Sequence, residues 1–178
     1  LGPGDEAVFA WPSFAMYPIV VQGMGATPVR VPLDAGLVHD LPALARAVTA
    51  RTKVVFVCNP NNPTGTSVGA AAFDAFAAAL PEDVVLVVDE AYAEFATRPD
   101  FPDTFRWLER RPATAVLRTF SKLYGMAGLR AGAALARPDL LERLMGFGGL
   151  AILPSTAMAG ATASLKDKGL VRERRNVL

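Results

Sequence analysis

Short runs of β-branched residues alternate with longer segments of helical period along this chain, and this alternation limits its fold more than any other feature. Residues 54–57 (Val-Val-Phe-Val) and 84–88 (Val-Val-Leu-Val-Val) are apolar without alternating polar positions. Strands of this kind are buried on both faces, as in parallel sheets covered by helices. The pattern therefore predicts an α/β fold with three layers, α/β/α, around a mostly parallel sheet.

The same pattern gives the expected bounds of the elements. Strands are predicted at residues 7–11, 28–33, 53–58, 84–89, 113–120 and 129–136. Helices are predicted at residues 13–24, 41–50, 68–80, 102–110, 138–145 and 155–165. Asp40 is expected to cap the helix that starts at 41, Ser67 to cap the helix that starts at 68, and Pro81 to end that helix.

The domain organisation is expected to be simple. Residues 1–145 are predicted to form most of one domain whose N-terminal part precedes Leu1. Residues 146–178 are predicted to be the end of this domain and the start of a connection to a second, smaller one. The Gly-Phe-Gly-Gly run at 146–149 is expected to be a hinge or loop.

Composition and charge disfavour several classes of function. The chain of 178 residues is 52% hydrophobic and 20% charged, with a net charge of +1, so it lacks a basic field that would attract nucleic acid or acidic membranes. The longest apolar stretches are too short or too rich in glycine to cross a bilayer. Cys58 is the only cysteine, which excludes an internal disulfide and is compatible with a reducing compartment. We expect a cytoplasmic protein that binds small molecules.

Histidine and glycine patterns exclude further sites. His39 is the only histidine and lies beside the capping Asp40, so it is expected at the surface. One histidine so placed cannot build a Ser-His-Asp triad or a histidine-based metal site. The glycines at 2–4 and 146–149 match neither the dinucleotide-binding nor the P-loop pattern.

Four short motifs hold the side chains that could carry chemistry. They are Asn-Pro-Thr-Gly at 62–65, Asp-Glu-Ala-Tyr at 89–92, Thr-Phe-Ser-Lys at 119–122 and Gly-Leu-Arg at 128–130. The first three follow or end predicted strands, and ligands bind beyond the carboxyl ends of parallel strands. The fourth motif begins the last strand, and Arg130 would reach the same edge if that strand were antiparallel. We therefore expect an antiparallel last strand and a site where the motifs meet.

The lysine and the aspartate each allow more than one interpretation. Lys122 is either a solvated loop lysine or an amine in a partly desolvated, cationic pocket, where it can attack an aldehyde. Asp89 ends an apolar strand, so its carboxylate needs a compensating partner such as a protonated pyridine nitrogen. The alternatives for Asp89 are a turn cap or, together with Glu90, a Mg²⁺ site.

The asparagine-rich motif at 59–65 is either an ordinary turn or a rigid loop that fixes the amide of Asn62. The bond between Asn62 and Pro63 is a candidate for the cis form. Phe14 and Tyr17 are either core residues or cofactor contacts.

Hydroxyls and a guanidinium suited to a phosphate dianion come from Thr119, Ser121 and Arg130. Arg130 paired with a surface acid is the ordinary alternative. Taken together, the motifs can hold pyridoxal phosphate.

The motifs at 59–65, 89–92 and 118–130 resemble those of the fold-type-I aminotransferases, above all the histidinol-phosphate aminotransferase group with its aromatic-amino-acid relatives. The resemblance runs from residue 1 to about residue 136 and implies the large domain of such an enzyme. It implies pyridoxal phosphate as cofactor and amino transfer to a 2-oxo acid, with histidinol phosphate and 2-oxoglutarate as the first choice of substrates. It also implies a homodimer, and a substrate-carboxylate arginine beyond Leu178.

The resemblance implies a role for each motif residue. Lys122 would form the Schiff base with the cofactor and move the proton in catalysis, and Asp89 would hold the ring nitrogen. The other implied cofactor contacts are Asn62 and Tyr92 at the ring hydroxyl, Thr119, Ser121 and Arg130 at the phosphate, and Phe14 stacked on the ring. Phe14 stands where the family more often has Tyr or Trp.

Three other functions remain open at this point. One is transfer of the amino group of aromatic amino acids. The second is another reaction on the same cofactor scaffold, such as decarboxylation of an amino acid. The third is a non-enzymatic sensor domain that binds pyridoxal phosphate, which a DNA-binding segment before Leu1 would favour.

Overall fold

The computed structural model describes residues 1–146 and 153–177 and contains a six-stranded sheet in the order β2-β1-β3-β4-β5-β6. The strands are β1 (Glu6–Trp11), β2 (Thr27–Pro32), β3 (Thr52–Cys58), β4 (Val85–Asp89), β5 (Thr114–Thr119) and β6 (Gly132–Ala136). Strands β1 to β5 are parallel to one another, and β6 is antiparallel to β5. The predicted mostly parallel sheet with an antiparallel last strand is confirmed.

Seven α-helices accompany the sheet in the described ranges. They are α1 (Met16–Gly23), α2 (Leu41–Arg46), α3 (Ala70–Ala79), α4 (Arg106–Arg110), α5 (Pro138–Met145), α6 (Ser155–Lys166) and α7 (Leu170–Arg175). Short 3-10 helices span Ala93–Phe95 and Ala127–Leu129. None of the helices described is both long enough and apolar enough to cross a membrane.

Apolar clusters cover both faces of the sheet because successive strand residues point to opposite sides. On one face Val8 packs in a cluster with Leu44 of α2 and Phe73 of α3. On the other face Phe9 packs with Tyr17 of α1. Burial of each large apolar side chain contributes about 1.5–3 kcal/mol, so both layers of helices are tied to the sheet. This arrangement is the predicted three-layer fold.

The start of α3 differs from the expectation. Ser67 does not cap this helix, which begins at Ala70 after Gly69 and has no side-chain cap. Val68 N–H, before the helix, donates to Oδ1 of Asn59 at 3.0 Å. The first N–H of the helix, that of Ala70, donates to the carbonyl oxygen of Asp100 at 2.8 Å, so a distant backbone group satisfies it in place of a local side chain.

The capping of α2 follows the expectation, whereas its length does not. Oδ1 of Asp40 accepts a hydrogen bond from Ala43 N–H at 2.8 Å. The helix ends at Arg46 rather than at residue 50. Just beyond it, Thr49 N–H donates to Oγ1 of Thr52 at 2.9 Å, which closes a turn in place of further helix.

Three strand ends meet at one edge of the sheet. Cys58 of β3 pairs with Asp89 of β4, and Asp89 pairs with Leu117 of β5. At this edge the chain leaves β1 toward β2 and leaves β3 toward β4, and such a divergence opens a crevice between the two loops. The antiparallel pairing of Gly132 with Thr119 returns the chain to the same edge.

The proposed division of the chain near residue 145 stays a prediction. Residues 147–149 of the predicted hinge lie outside the described residues.

Candidate active site

Two neighbouring cavities lie at this edge of the sheet. The smaller, about 70 Å³, is lined by Phe14, Cys58, Asn62, Asp89, Ala91, Tyr92 and Lys122. The larger, about 380 Å³, shares Asn62 and Tyr92 with it but includes neither Lys122 nor Asp89. Since the reactive groups line the smaller cavity, we place the site there, with the larger cavity beside it. Together they reach the volume of small-molecule sites, roughly 300–1,000 Å³.

Asp89 is held in place by two hydrogen bonds. Only 9% of the residue is exposed. Oδ2 accepts from the phenol of Tyr17 at 2.8 Å, and Oδ1 accepts from Ala91 N–H at 3.1 Å. Each carboxylate oxygen keeps a further lone pair, so Asp89 can still accept a hydrogen bond from a ligand in the cavity.

Tyr17 turns out to belong to both the core and the site. Its ring stacks on Phe56 with 4.7 Å between ring centroids and meets the edge of Phe14 at 5.6 Å. Burial, with Cys58 and Asp89 nearby, raises the pKa of the Tyr17 phenol, so the group stays protonated and donates. Burial likewise raises the pKa of Cys58, which keeps that residue a thiol.

The loop that carries Asn62 is fixed through its neighbour Asn61. Oδ1 of Asn61 accepts from Oγ of Ser13 at 2.7 Å and from Nε2 of His39 at 3.0 Å. Its amide group donates to Oγ1 of Thr64 at 2.9 Å. The bond between Asn62 and Pro63 is cis, as predicted. Asn62 is thereby presented to the cavity by a loop with internal hydrogen bonds.

His39 corrects an expectation, because it is buried and only 5% exposed, not a surface residue. His39 lies in the irregular segment between β2 and α2, and its side chain reaches inward to Asn61. Because an amide oxygen only accepts, Nε2 carries the hydrogen. Burial lowers the pKa of His39, and the Asn61 contact opposes this shift.

Lys122 and Tyr92 face each other across the smaller cavity. The amine Nζ lies 5.1 Å from the centroid of the Tyr92 ring. Within residues 1–146 and 153–177, Lys122 forms no salt bridge. The side chain is exposed, so the partly desolvated pocket expected around it is not formed by these residues alone. Its turn closes through Gly125, whose φ of +67° favours glycine.

The predicted phosphate contacts are close in the fold but less enclosed. Ser121 N–H donates to Oγ1 of Thr119 at 3.1 Å, which orders the turn before Lys122. Arg130 is exposed and donates through Nη1 to the carbonyl oxygen of Ala127 at 2.8 Å. Its φ of 54° is left-handed, which costs a non-glycine residue about 1–2 kcal/mol. Four of its five N–H donors are not used by that contact.

An ion-paired cluster lies directly behind these motifs. Glu90 is fully buried and pairs with Arg118, which also contacts Glu94. From α7, Arg174 donates to the carbonyl oxygen of Leu123 at 2.9 Å, and Arg175 donates to that of Glu94. These contacts were not predicted from the motifs. The one signal in the sequence is that two oppositely charged residues, Glu90 and Arg118, directly follow Asp89 and directly precede Thr119.

The described residues contain no cluster of three or more His, Cys, Asp and Glu side chains that could hold a metal ion. Glu90 is moreover taken up by Arg118 and Thr104, so it is not paired with Asp89 toward a common ion.

The family follows from comparison with known proteins. The family model described as "Aminotransferase class I and II" matches residues 1–177. The chain belongs to this aminotransferase family. Three predictions are thereby confirmed: the family, the fold, and pyridoxal phosphate as the cofactor. The roles of the individual residues stay predictions.

Two curated relatives of this aminotransferase chain carry the same name. An "Aromatic amino acid aminotransferase" of Streptomyces avermitilis is 54% identical over 143 residues, which cover 80% of this chain and 40% of that protein. One of Nocardia farcinica is 48% identical over 174 residues, which cover 97% and 49%. The chain therefore spans about half the length of the curated relatives it matches.

Solved structures share the fold. A histidinol-phosphate aminotransferase of Sinorhizobium meliloti in complex with pyridoxal 5′-phosphate is 32% identical, with a TM-score of 0.89, over 98% of this chain and 47% of that one. A mutant aspartate aminotransferase of Thermus thermophilus is 26% identical, with a TM-score of 0.88, over 99% of this chain and 50% of that one.

Proposed function

We propose that the full-length protein is a pyridoxal-phosphate-dependent aminotransferase that moves the amino group of an aromatic amino acid to a 2-oxo acid. The observation that carries this proposal is one cavity lined by Lys122, Asp89, Asn62, Tyr92 and Phe14. The names of the curated relatives support the aromatic substrate class.

The residues of the cavity fit this cofactor. Asp89 is a buried carboxylate with hydrogen-bonding capacity left for a protonated ring nitrogen. Asn62 and Tyr92 supply an amide and a phenol for the ring hydroxyl, and Thr119, Ser121 and Arg130 supply donors for a phosphate. Lys122 supplies the one amine in the cavity. When bound, the cofactor supplies an electron-withdrawing ring that takes up negative charge from the substrate Cα.

Each side chain of the cavity would then have its own role in the reaction. The amine of Lys122 would act as the general base that takes the proton from the substrate Cα and then as the general acid that gives it back. Asp89 would hold the proton of the cofactor's ring nitrogen, while Tyr17 keeps that carboxylate in place. Phe14 lines the cavity beside them and would cover one face of the ring.

The decisive test uses the full-length protein loaded with pyridoxal phosphate. Borohydride reduction followed by peptide mapping is expected to place the label on Lys122. The variant Lys122→Ala is expected to bind the cofactor without a borohydride-stable label and to lose at least roughly 10²-fold in turnover. A label on Lys53, Lys166 or Lys168 would overturn the assignment.

Substrate choice is tested by adding amino donors one at a time. Phenylalanine and tyrosine are expected to convert the bound cofactor to its amine form, with release of the matching 2-oxo acid. Histidinol phosphate is the second candidate, supported by the likeness to the Sinorhizobium structure. Conversion by histidinol phosphate alone would favour that candidate. Release of CO₂ instead of a 2-oxo acid would indicate a decarboxylase, and no turnover of any donor a sensor domain.

We further propose a cytoplasmic homodimer whose partners are small molecules and neither nucleic acid nor membrane. The near-neutral charge of the chain supports the expectation that it binds neither nucleic acid nor acidic membranes. Sedimentation of the full-length protein tests the dimer.

A further inference from the structure

One half-buried arginine, Arg118, forms ion pairs with two glutamates next to the turn that carries Tyr92. Glu90 is 0% exposed and accepts from Nε of Arg118 at 2.7 Å. The same guanidinium donates through Nη1 to Oε1 of Glu94 at 2.9 Å. One arginine therefore contacts the residues on both sides of the Ala91–Ala93 segment at once.

Arg118 stands where backbone pairing between β4 and β5 stops. The last paired residues are Asp89 and Leu117, and one more bond joins Glu90 N–H to the carbonyl oxygen of Leu117 at 3.0 Å. Within the described chain, no backbone hydrogen bond joins residues 91–96 to residues 119–125. Beyond that point side chains connect the two turns. Besides Arg118 these are Lys122, whose amine lies 5.1 Å from the centroid of the Tyr92 ring, and Arg174 and Arg175 of α7, which bind the carbonyl oxygens of Leu123 and Glu94.

We propose that Arg118 is a positioning residue whose contacts with Glu90 and Glu94 set the distance between the Tyr92 turn and the Lys122 turn. The proposal rests on the proposed function in so far as these turns hold the cofactor. Arg118 directly precedes Thr119, so its backbone belongs to the strand that leads into the Lys122 turn.

The chemistry of the contact requires an arginine. A planar guanidinium presents a fixed fork of donors and can serve two carboxylates in one geometry, which a lysine ammonium cannot reproduce. The guanidinium carbon also lies 5.2 Å from the centroid of the Phe105 ring, and Oγ1 of Thr104 holds the second oxygen of Glu90 at 2.6 Å. These contacts restrict the cluster to one arrangement.

The test removes the connection without exposing the buried pair. Arg118→Gln would leave Glu90 buried without a cation, which itself destabilises a fold. Glu94→Ala keeps the Arg118–Glu90 pair and removes only the link to the Tyr92 turn. Glu94→Gln restores an accepting oxygen. The matched control is Asp74→Ala, which breaks the ion pair between Asp74 and Arg106 away from the site.

The first measurement is amide hydrogen exchange of the full-length, cofactor-free protein. Glu94→Ala is expected to speed exchange in residues 92–96 and 119–125 about tenfold, the loss expected for one charge-assisted hydrogen bond. Glu94→Gln should lie closer to wild type, and Asp74→Ala should leave both segments unchanged. Unchanged exchange in 119–125 for Glu94→Ala would overturn the proposal, because the Arg118–Glu94 contact would then not couple the two turns.

The second measurement is the dissociation constant of pyridoxal phosphate. Glu94→Ala is expected to raise it about tenfold, with partial rescue by Glu94→Gln, whereas Asp74→Ala leaves it within twofold. Equal effects of Glu94→Ala and Asp74→Ala would mean a loss of general stability and would refute positioning. If the wild-type protein binds no pyridoxal phosphate, the proposed function fails, while the exchange experiment still decides on Arg118.

Discussion

The two ends of the proposed cofactor site differ in how firmly they are built. At the ring end, where Asp89 is proposed to hold the ring nitrogen, this residue is buried and accepts hydrogen bonds from Tyr17 and Ala91. At the phosphate end, where Arg130 is proposed to bind the phosphate, this residue is exposed and bonds only to the nearby carbonyl of Ala127 among the described residues. Sheet pairing reaches as far as Asp89, whereas Arg130 lies in a connection before β6. The proposed ring end is therefore the more firmly held of the two.

The largest expected effect is at the ring end. Asp89→Asn keeps the shape of the side chain but cannot hold a proton on the ring nitrogen. Turnover of the full-length enzyme is expected to fall roughly 10²- to 10³-fold, the loss typical of one preorganised electrostatic contact. Steady-state kinetics measure this. Asp74→Asn, which changes a carboxylate bonded to Arg106 and Trp107, is the control, and a similar loss there would contradict the assignment.

The second-largest expected effect is on cofactor binding at the phosphate end. Arg130→Gln is expected to raise the dissociation constant of pyridoxal phosphate about tenfold to a hundredfold, since hydrogen bonds to charged groups contribute about 1.5–3 kcal/mol. The melting temperature of the cofactor-free protein should not change, because the side chain is exposed. Fluorescence titration and thermal melting check the two parts. Arg137→Gln, another exposed arginine, should change neither.

A smaller effect tests whether the ring end is organised before the cofactor binds. Tyr17→Phe keeps the stack on Phe56 and removes only the hydrogen bond to Asp89. The free energy of unfolding of the cofactor-free protein is expected to fall by about 1.5 kcal/mol. Urea unfolding measures it. An unchanged stability would show that the phenol contributes nothing until the ligand arrives.

The smallest effect is a pH dependence of the loop that carries Asn62. The pKa of His39 is lowered by burial, so the unfolded chain binds a proton more readily than the folded one. The contribution of neutral His39 to the free energy of unfolding is fully present above the unfolded pKa of about 6.5. It decreases as the pH falls below that value, by at most about 1.4 kcal/mol per pH unit. Denaturation between pH 7.5 and 5.5 checks this. His39→Gln, which removes the only histidine, should flatten the curve.

Much of the sheet edge was predictable because the strands are apolar throughout and end in polar motifs. The runs before Asn59 and at Asp89 and Thr119 are strands that end side by side. The antiparallel last strand followed from the need to bring Arg130 to that edge. Local residue types and one topological rule were sufficient for these features.

The errors arise where distant groups replace local ones. Ser67 is a good capping residue, but the first N–H of α3 binds the distant carbonyl oxygen of Asp100. His39 lies beside a surface cap, and only the long-range contact with Asn61 shows that it points inward. The role of Tyr17 likewise depends on Asp89, 72 positions later. The spacing of residues along the sequence does not reveal which distant side chains form hydrogen bonds with each other.

The contacts of α7 have a consequence for the reactive lysine. Arg174 and Arg175 bind the carbonyl oxygens of Leu123 and Glu94, not their side chains. Substitutions at positions 123 and 94 therefore leave the acceptors of this attachment intact. Since Leu123 directly follows Lys122, a displacement of α7 is expected to shift the backbone that carries the Lys122 amine.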